Sequence, residues 1–113
     1  MVIETNYVPR KGDLVWLNFS PQSGHEQASK RPALCISPET YNSKVGLALF
    51  CPITSAIKNY PFESLLPDDL PVKGAILTDQ VKSMDWRSRQ AQFIASLSPS
   101  QLTEVLAKIH TLI

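Results

Sequence analysis

The sequence predicts a mainly β domain with some helix: a small, strongly bent sheet or open barrel closed by one amphipathic helix at its C-terminal end. Three observations predict it. Short apolar runs recur between proline and glycine punctuation. Eight of the nine prolines precede Ser98, which argues against long helices in that region. From Leu102 onward the apolar residues take helical spacing, directly after a capping sequence.

Taken in order, Lys11-Gly12-Asp13 is a turn into Leu14-Val15-Trp16-Leu17-Asn18-Phe19. That strand has so little polar alternation that both of its faces must be largely covered. A polar loop follows, and Pro32 to Ser37 is a second strand. Pro38 to Gly46 is a polar connection with room for one helical turn, and Gly46 releases the chain into a third strand, Leu47 to Thr54. Phe62 to Leu66 reads as a short strand stopped by Pro67-Asp68-Asp69-Leu70-Pro71, which neither helix nor sheet accepts readily. Gly74-Ala75-Ile76-Leu77 restarts a strand that runs on to Asp85, and Gln92 to Ser96 is the last. In Ser98-Pro99-Ser100-Gln101 the N-cap serine, the proline at the first helical position and the glutamine three residues after the cap form a capping box, with Leu97 and Leu102 placed for a hydrophobic staple. Leu102, Val105, Leu106, Ile109, Leu112 and Ile113 then form one stripe, and Lys108 and His110 suit the negative end of the helix dipole.

Composition narrows the function classes. A chain of 113 residues fits one domain over 1–113 and leaves no room for a second. The formal charge of +1 lacks the global basic field of a non-specific nucleic-acid binder, so any such partner is held by local patches. Cys35 and Cys51 fall inside apolar runs, which points to buried reduced thiols in a reducing compartment. Met1 to Tyr7 has no basic start followed by an apolar core, and no run approaches membrane-spanning length. The expectation is a soluble cytoplasmic protein without a membrane partner.

The chemistry concentrates in Ser23-Gly24-His25-Glu26-Gln27-Ala28-Ser29-Lys30-Arg31-Pro32, between the first two strands. Pro32 biases Arg31 toward an extended backbone and so aims it. Thr54 ends the third strand where it gives out into a loop, the kind of place where binding and catalytic groups usually sit. Taken alone, Glu26 and Arg31 read as a loop ion pair of small value and Thr54 as a strand end. The two distant histidines and two strand cysteines show no metal-ligand spacing, so neither a metal nor another cofactor is expected.

Four motifs change that reading together. Lys11-Gly12-Asp13 before an aromatic strand, Glu26 through Arg31-Pro32, Pro52-Ile53-Thr54-Ser55 and Asp79-Gln80-Val81-Lys82-Ser83 resemble, in order and spacing, the MazF/PemK family of toxin endoribonucleases. The match extends from about Tyr7 to the terminal helix. The resemblance implies an SH3-like barrel of bent antiparallel sheet (the MazF/Kid/CcdB-like fold) with a C-terminal helix, assembled as a homodimer. It also implies metal-independent cleavage of single-stranded RNA at a short sequence, and a cognate antitoxin. A groove shaped for RNA phosphates would also accept that antitoxin's disordered, acidic C-terminal segment.

The residue types fit the implied reaction. RNA is cut without metal when its own 2′-hydroxyl attacks the adjacent phosphorus, leaving a 2′,3′-cyclic phosphate and a 5′-hydroxyl. Arg31 suits the phosphoryl oxygens, because its planar fork donates two charge-assisted hydrogen bonds at once. Thr54 adds a neutral hydroxyl donor there, and Glu26 is a candidate base once burial or substrate charge raises its pKa. Which group takes the proton and which returns one stays open. Beside Glu26, His25 has a pKa suited to proton transfer but reads as a solvated loop residue near the RNA. Lys30, Lys58 and Lys82 are candidates for phosphates, with Lys44, Arg87 and Arg89 as further cations in or near loops. Asn42 and Gln80 are candidates for base edges, and Tyr41, Tyr60 and Trp86 for stacking.

Two rivals remain at this point. The CcdB family of gyrase poisons shares the fold without cutting RNA, though Thr111-Leu112-Ile113 lacks its Trp-Gly-Ile ending. A non-catalytic SH3-like binding module is the other.

Overall fold

The computed structural model describes residues 6–19 and 30–113. Its elements run β1 (Asp13–Asn18), β2 (Lys30–Cys35), α1 (Glu39–Val45), β3 (Leu47–Thr54), β4 (Glu63–Leu65), β5 (Ala75–Leu77), β6 (Lys82–Asp85), β7 (Gln92–Ser96) and α2 (Pro99–His110). The strands form one seven-stranded sheet in the order β4-β5-β3-β2-β1-β7, with β6 also paired to β3, and every pairing is antiparallel. The outer strands β4 and β7 do not pair with each other, so among the described residues the sheet is open, within the expectation of a strongly bent sheet or open barrel. A side chain occupies the β4 edge instead: Gln101 donates from Nε2 to the Leu65 carbonyl at 2.6 Å and to Ser64 Oγ at 3.2 Å.

Both faces of the central strands are covered, as the continuous apolar run of β1 requires. On one face Leu14, Leu34, Cys51, Ile53 and Ile76 pack with Leu97, Val105 and Ile109 of the C-terminal segment. On the other, Val15, Leu17, Ala33, Cys35, Ala48 and Phe50 pack with Met84 and Trp86. Leu34 stands opposite Cys51 in the β2–β3 register, so Cys35 and Cys51 point to opposite faces and both thiols are free.

Helix α1 is longer than the single turn expected, and its anchor is Asn42. That side chain is fully buried. Its amide donates to the Pro9 carbonyl at 2.7 Å and the Ser37 carbonyl at 3.0 Å, while its oxygen accepts from Ser37 Oγ at 2.6 Å. Trp86 is buried too and donates from Nε1 to the Asn42 carbonyl at 3.0 Å. The expectation that Asn42 reads base edges is therefore corrected: its polar atoms hold α1 to the chain on either side. Trp86 likewise belongs to the core and offers no face for stacking.

The run from Gly74 to Asp85 forms two strands where one was expected, and β3 supplies the reason. Leu49 directs both backbone groups toward the β2 side, accepting from Ile36 N at 2.9 Å and donating to Ser37 Oγ at 2.8 Å. Alternation then turns the backbone of Phe50, Pro52 and Thr54 to the opposite edge, where β6 and β5 pair. Pro52 has no N–H to offer that edge. Between the pairs Ile53↔Ile76 and Phe50↔Lys82, β3 advances three residues while its neighbour advances six. The surplus is looped out opposite Pro52, and Thr78 is drawn toward β4, donating from both N and Oγ1 to the Phe62 carbonyl.

Helix α2 begins as expected, with Ser98 Oγ accepting from Gln101 N at 3.2 Å and Pro99 in the first turn. The reciprocal half of the capping box is absent because Gln101 reaches β4 instead. Leu97 and Leu102 pack in the same cluster.

Burial pushes the Cys51 thiol up to about 12 and raises Cys35 as well. Both values lie above the ordinary 9.0, so the linked stability is full below that pH and is lost as the pH climbs through the folded values. Thiolate is the reactive form, so a thiol reagent at about pH 8 should label the native protein slowly and the denatured protein at once. Rapid labelling of native protein would contradict the buried placement.

Candidate active site

The looped-out segment between β5 and β6 opens a groove along the end of β3. Arg31 enters from β2, opposite Leu17 of β1, and its head is exposed. Thr54, the last residue of β3, faces the same space. Its hydroxyl oxygen accepts from Ala56 N at 3.0 Å, which fixes the rotamer and leaves the hydroxyl proton for another acceptor.

Gly74 sets where β3 ends. A Cβ on Gly74 would lie 2.1 Å from the Thr54 carbonyl oxygen, and its φ of +129 is one that side-chain-bearing residues rarely adopt. Only glycine lets the two backbones approach so closely.

Arg31, Thr54, Gln80 and Lys82 line one cavity of about 370 Å³ together with Phe19, Pro52, Ile53 and Leu77. A second hollow of about 270 Å³ shares Thr54, Leu77 and Gln80 and adds Ala56, Lys58, Tyr60 and Glu63. The two are segments of one groove, with an apolar floor and cationic walls. Arg31 has no acidic partner among the described residues. Such a groove can hold an anionic chain by charge while presenting a guanidinium and a hydroxyl to one phosphate.

The loop after Thr54 forms the far wall. Glu63 is buried and its carboxylate accepts from Lys58 N at 3.0 and 3.2 Å and from Asn59 N at 2.7 Å. Asn59 takes a left-handed φ of 61 to make this possible. The Tyr60 hydroxyl donates to Asp79 at 2.7 Å, and that bond is the main reason its pKa is pushed up to about 12.

Of the residues singled out in the sequence, Arg31, Thr54, Gln80 and Lys82 meet in the first cavity and Lys58 lines the second. Lys30 is adjacent in β2, but its ammonium donates to Gln92 Oε1 at 2.8 Å. Asn42 is in the core. Glu26 and His25 lie outside the described residues. Sequence reasoning gave no part in the site to Phe19, Gly74 or Glu63, nor to Pro52 beyond its place in a motif. Two of these had a signal: a proline inside an apolar strand, and an acidic residue inside the short run Phe62 to Leu66. Among the described residues, no three His, Cys, Asp or Glu side chains gather to hold a metal.

Comparison with known proteins gives concordant matches. A family model described as PemK-like, MazF-like toxin of type II toxin-antitoxin system matches residues 10–113. The chain is 45% identical over 109 residues to the endoribonuclease toxin MazF of Escherichia coli (strain K12), covering 96% of this chain and 97% of that protein. The crystal structure of MazF from Deinococcus radiodurans (Form-I) superposes with a TM-score of 0.85 at 51% identity, covering 95% of this chain and 97% of the other. A MazE-MazF crystal structure from the same organism (Form-II) gives 0.86 at 46% identity, covering 95% and 96%.

Replacing Gly74 with Ala should move the end of β3 and its Thr54 hydroxyl. A methyl group driven into backbone at a positive φ should cost about 2 kcal/mol or more of folding stability. Chemical denaturation checks it, and an unchanged midpoint would contradict the close approach.

Proposed function

The chain belongs to the PemK-like, MazF-like toxin family of type II toxin-antitoxin systems, and on that premise we propose that its groove is the active site of an endoribonuclease. It acts as the toxin of its pair, cutting single-stranded RNA at a short sequence and so stopping translation and growth. The observation that carries the reading is the convergence of Arg31, Thr54 and Lys82 on one cavity. Small-ligand pockets start at about 300 Å³, so a cavity of about 370 Å³ has room for a nucleotide.

In this reading the scissile phosphate lies between Arg31 and Thr54. The guanidinium binds two phosphoryl oxygens as negative charge grows on them, and the Thr54 proton adds a third bond. The RNA's own 2′-hydroxyl gives up its proton and attacks the phosphorus, the bond to the 5′-oxygen breaks, and that oxygen takes up a proton from solvent water, giving cyclic-phosphate and 5′-hydroxyl ends without a metal. Glu26, five positions before Arg31, is the proposed base. Lys82 and Lys58 hold neighbouring phosphates, Gln80 reads a base edge, and Lys30 and His25 are further candidates for RNA contact.

The same features fit the proposed partners. Cationic walls over an apolar floor suit an extended acidic peptide, so an antitoxin segment that fills the groove blocks RNA directly. Exposed Leu65, Phe93, Leu112 and Ile113 supply apolar surface for a homodimer. The two buried, unpaired cysteines suit a cytoplasmic setting, and no helix among the described residues is long and apolar enough to cross a membrane.

The test is to incubate the protein with a long RNA in EDTA beside Arg31→Ala and map the ends. Cuts at one short recurring sequence should appear, and the variant should lose roughly 10²-fold or more of the rate while staying folded. An Arg31→Ala variant that retains full activity would overturn the assignment of Arg31. RNA left intact by folded wild-type protein, with gyrase-dependent DNA breaks, would favour the gyrase-poison reading.

A further inference from the structure

The loop that walls the second hollow is anchored by a buried carboxylate at its base. Glu63 sits at the start of β4, and two backbone amides of the loop, Lys58 and Asn59, donate to its carboxylate. Lys108 in the last turn of α2 reaches the same loop, donating from Nζ to the Pro61 carbonyl at 2.5 Å. A buried carboxylate needs its oxygens satisfied, and here backbone N–H groups satisfy them. Moving the loop away would leave that charge buried without partners, so the buried carboxylate holds the loop in place.

We propose that Glu63, with Lys108 behind it, is a positioning residue for RNA recognition: it presets the 55–61 loop so that Lys58 and Tyr60 already face the groove before RNA arrives. This rests on the reading of the groove as the RNA site. Glu63 touches no reacting atom, because all the bonds described for it go to the loop's backbone. Its effect is on the fraction of molecules whose groove is formed. A loop that is formed only part of the time weakens apparent binding by that fraction and leaves the chemistry at Arg31 and Thr54 unchanged once RNA is seated.

Glu63→Gln removes the charge that both amides donate to and, with its carbonyl in the place that accepts from Asn59, turns an amide donor toward the Lys58 N–H. Amide hydrogen exchange of the free, full-length variant should speed up at Lys58 and Asn59 by about tenfold or more, with β1 to β3 unchanged. On a long RNA in EDTA, KM should rise by about tenfold while kcat stays within about twofold of wild type. Lys108→Met, at a site outside the core, should shift both readouts in the same direction and decides the matter if Glu63→Gln fails to fold. Unchanged exchange at Lys58 and Asn59, or a fall in kcat at constant KM, overturns the proposal. Wild-type protein that cuts no RNA overturns the reading of the groove and this role with it; the exchange measurement then still reports separately whether Glu63 holds the loop.

Discussion

The groove exists because β3 has an edge it cannot complete. This strand pairs with β2 along one side and with β6 and then β5 along the other, so it is the member that every inner part of the sheet shares. At Pro52 the second side lacks a donor. The neighbouring strand leaves β3 there and rejoins it at Phe50 after a detour that carries Asp79 and Gln80. Pro52, Leu77, Gln80 and Lys82 accordingly line one cavity, beside the arginine that β2 delivers from the other side. The opening is where the hydrogen-bond ladder has to break.

Around that opening the chain is held by a few specific contacts, one between main chains and two through side chains. Gly74 meets the Thr54 carbonyl at a distance that excludes a side chain. Glu63 collects two amides of the following loop, and Asp79 holds Tyr60 across to the detour. Each contact ties together segments that border the groove. Electrostatic catalysis depends on such prepositioning, because donors already aimed at a phosphate need not reorganise as charge develops.

Elements governed by local pattern were legible in the sequence. β3 and β7 have the expected boundaries, and α2 begins at its serine cap, because apolar run length and capping chemistry are properties of neighbouring residues. Arg31 and Thr54 were singled out through motif resemblance, and the fold brings both to one cavity. What escaped depends on residues distant in sequence. Asn42 looked like a loop amide, yet its amide is used on Pro9, which lies 33 residues away. Gln101 completed a capping motif on paper, but a carbonyl on the β4 edge competed for its amide. The interrupted β5–β6 strand is of the same kind, since it turns on a missing donor at Pro52, which faces that neighbour.

The central claim is that this groove uses the RNA's own 2′-hydroxyl, with Arg31 and Thr54 on the phosphate. The most direct test replaces that single hydroxyl with hydrogen at the mapped cleavage site of a short RNA and measures both cutting and binding. The account predicts that the deoxy strand binds as well as the unmodified one and is left intact at that position. Cleavage at the deoxy position would show that water or a protein group attacks the phosphorus, and the account would fail.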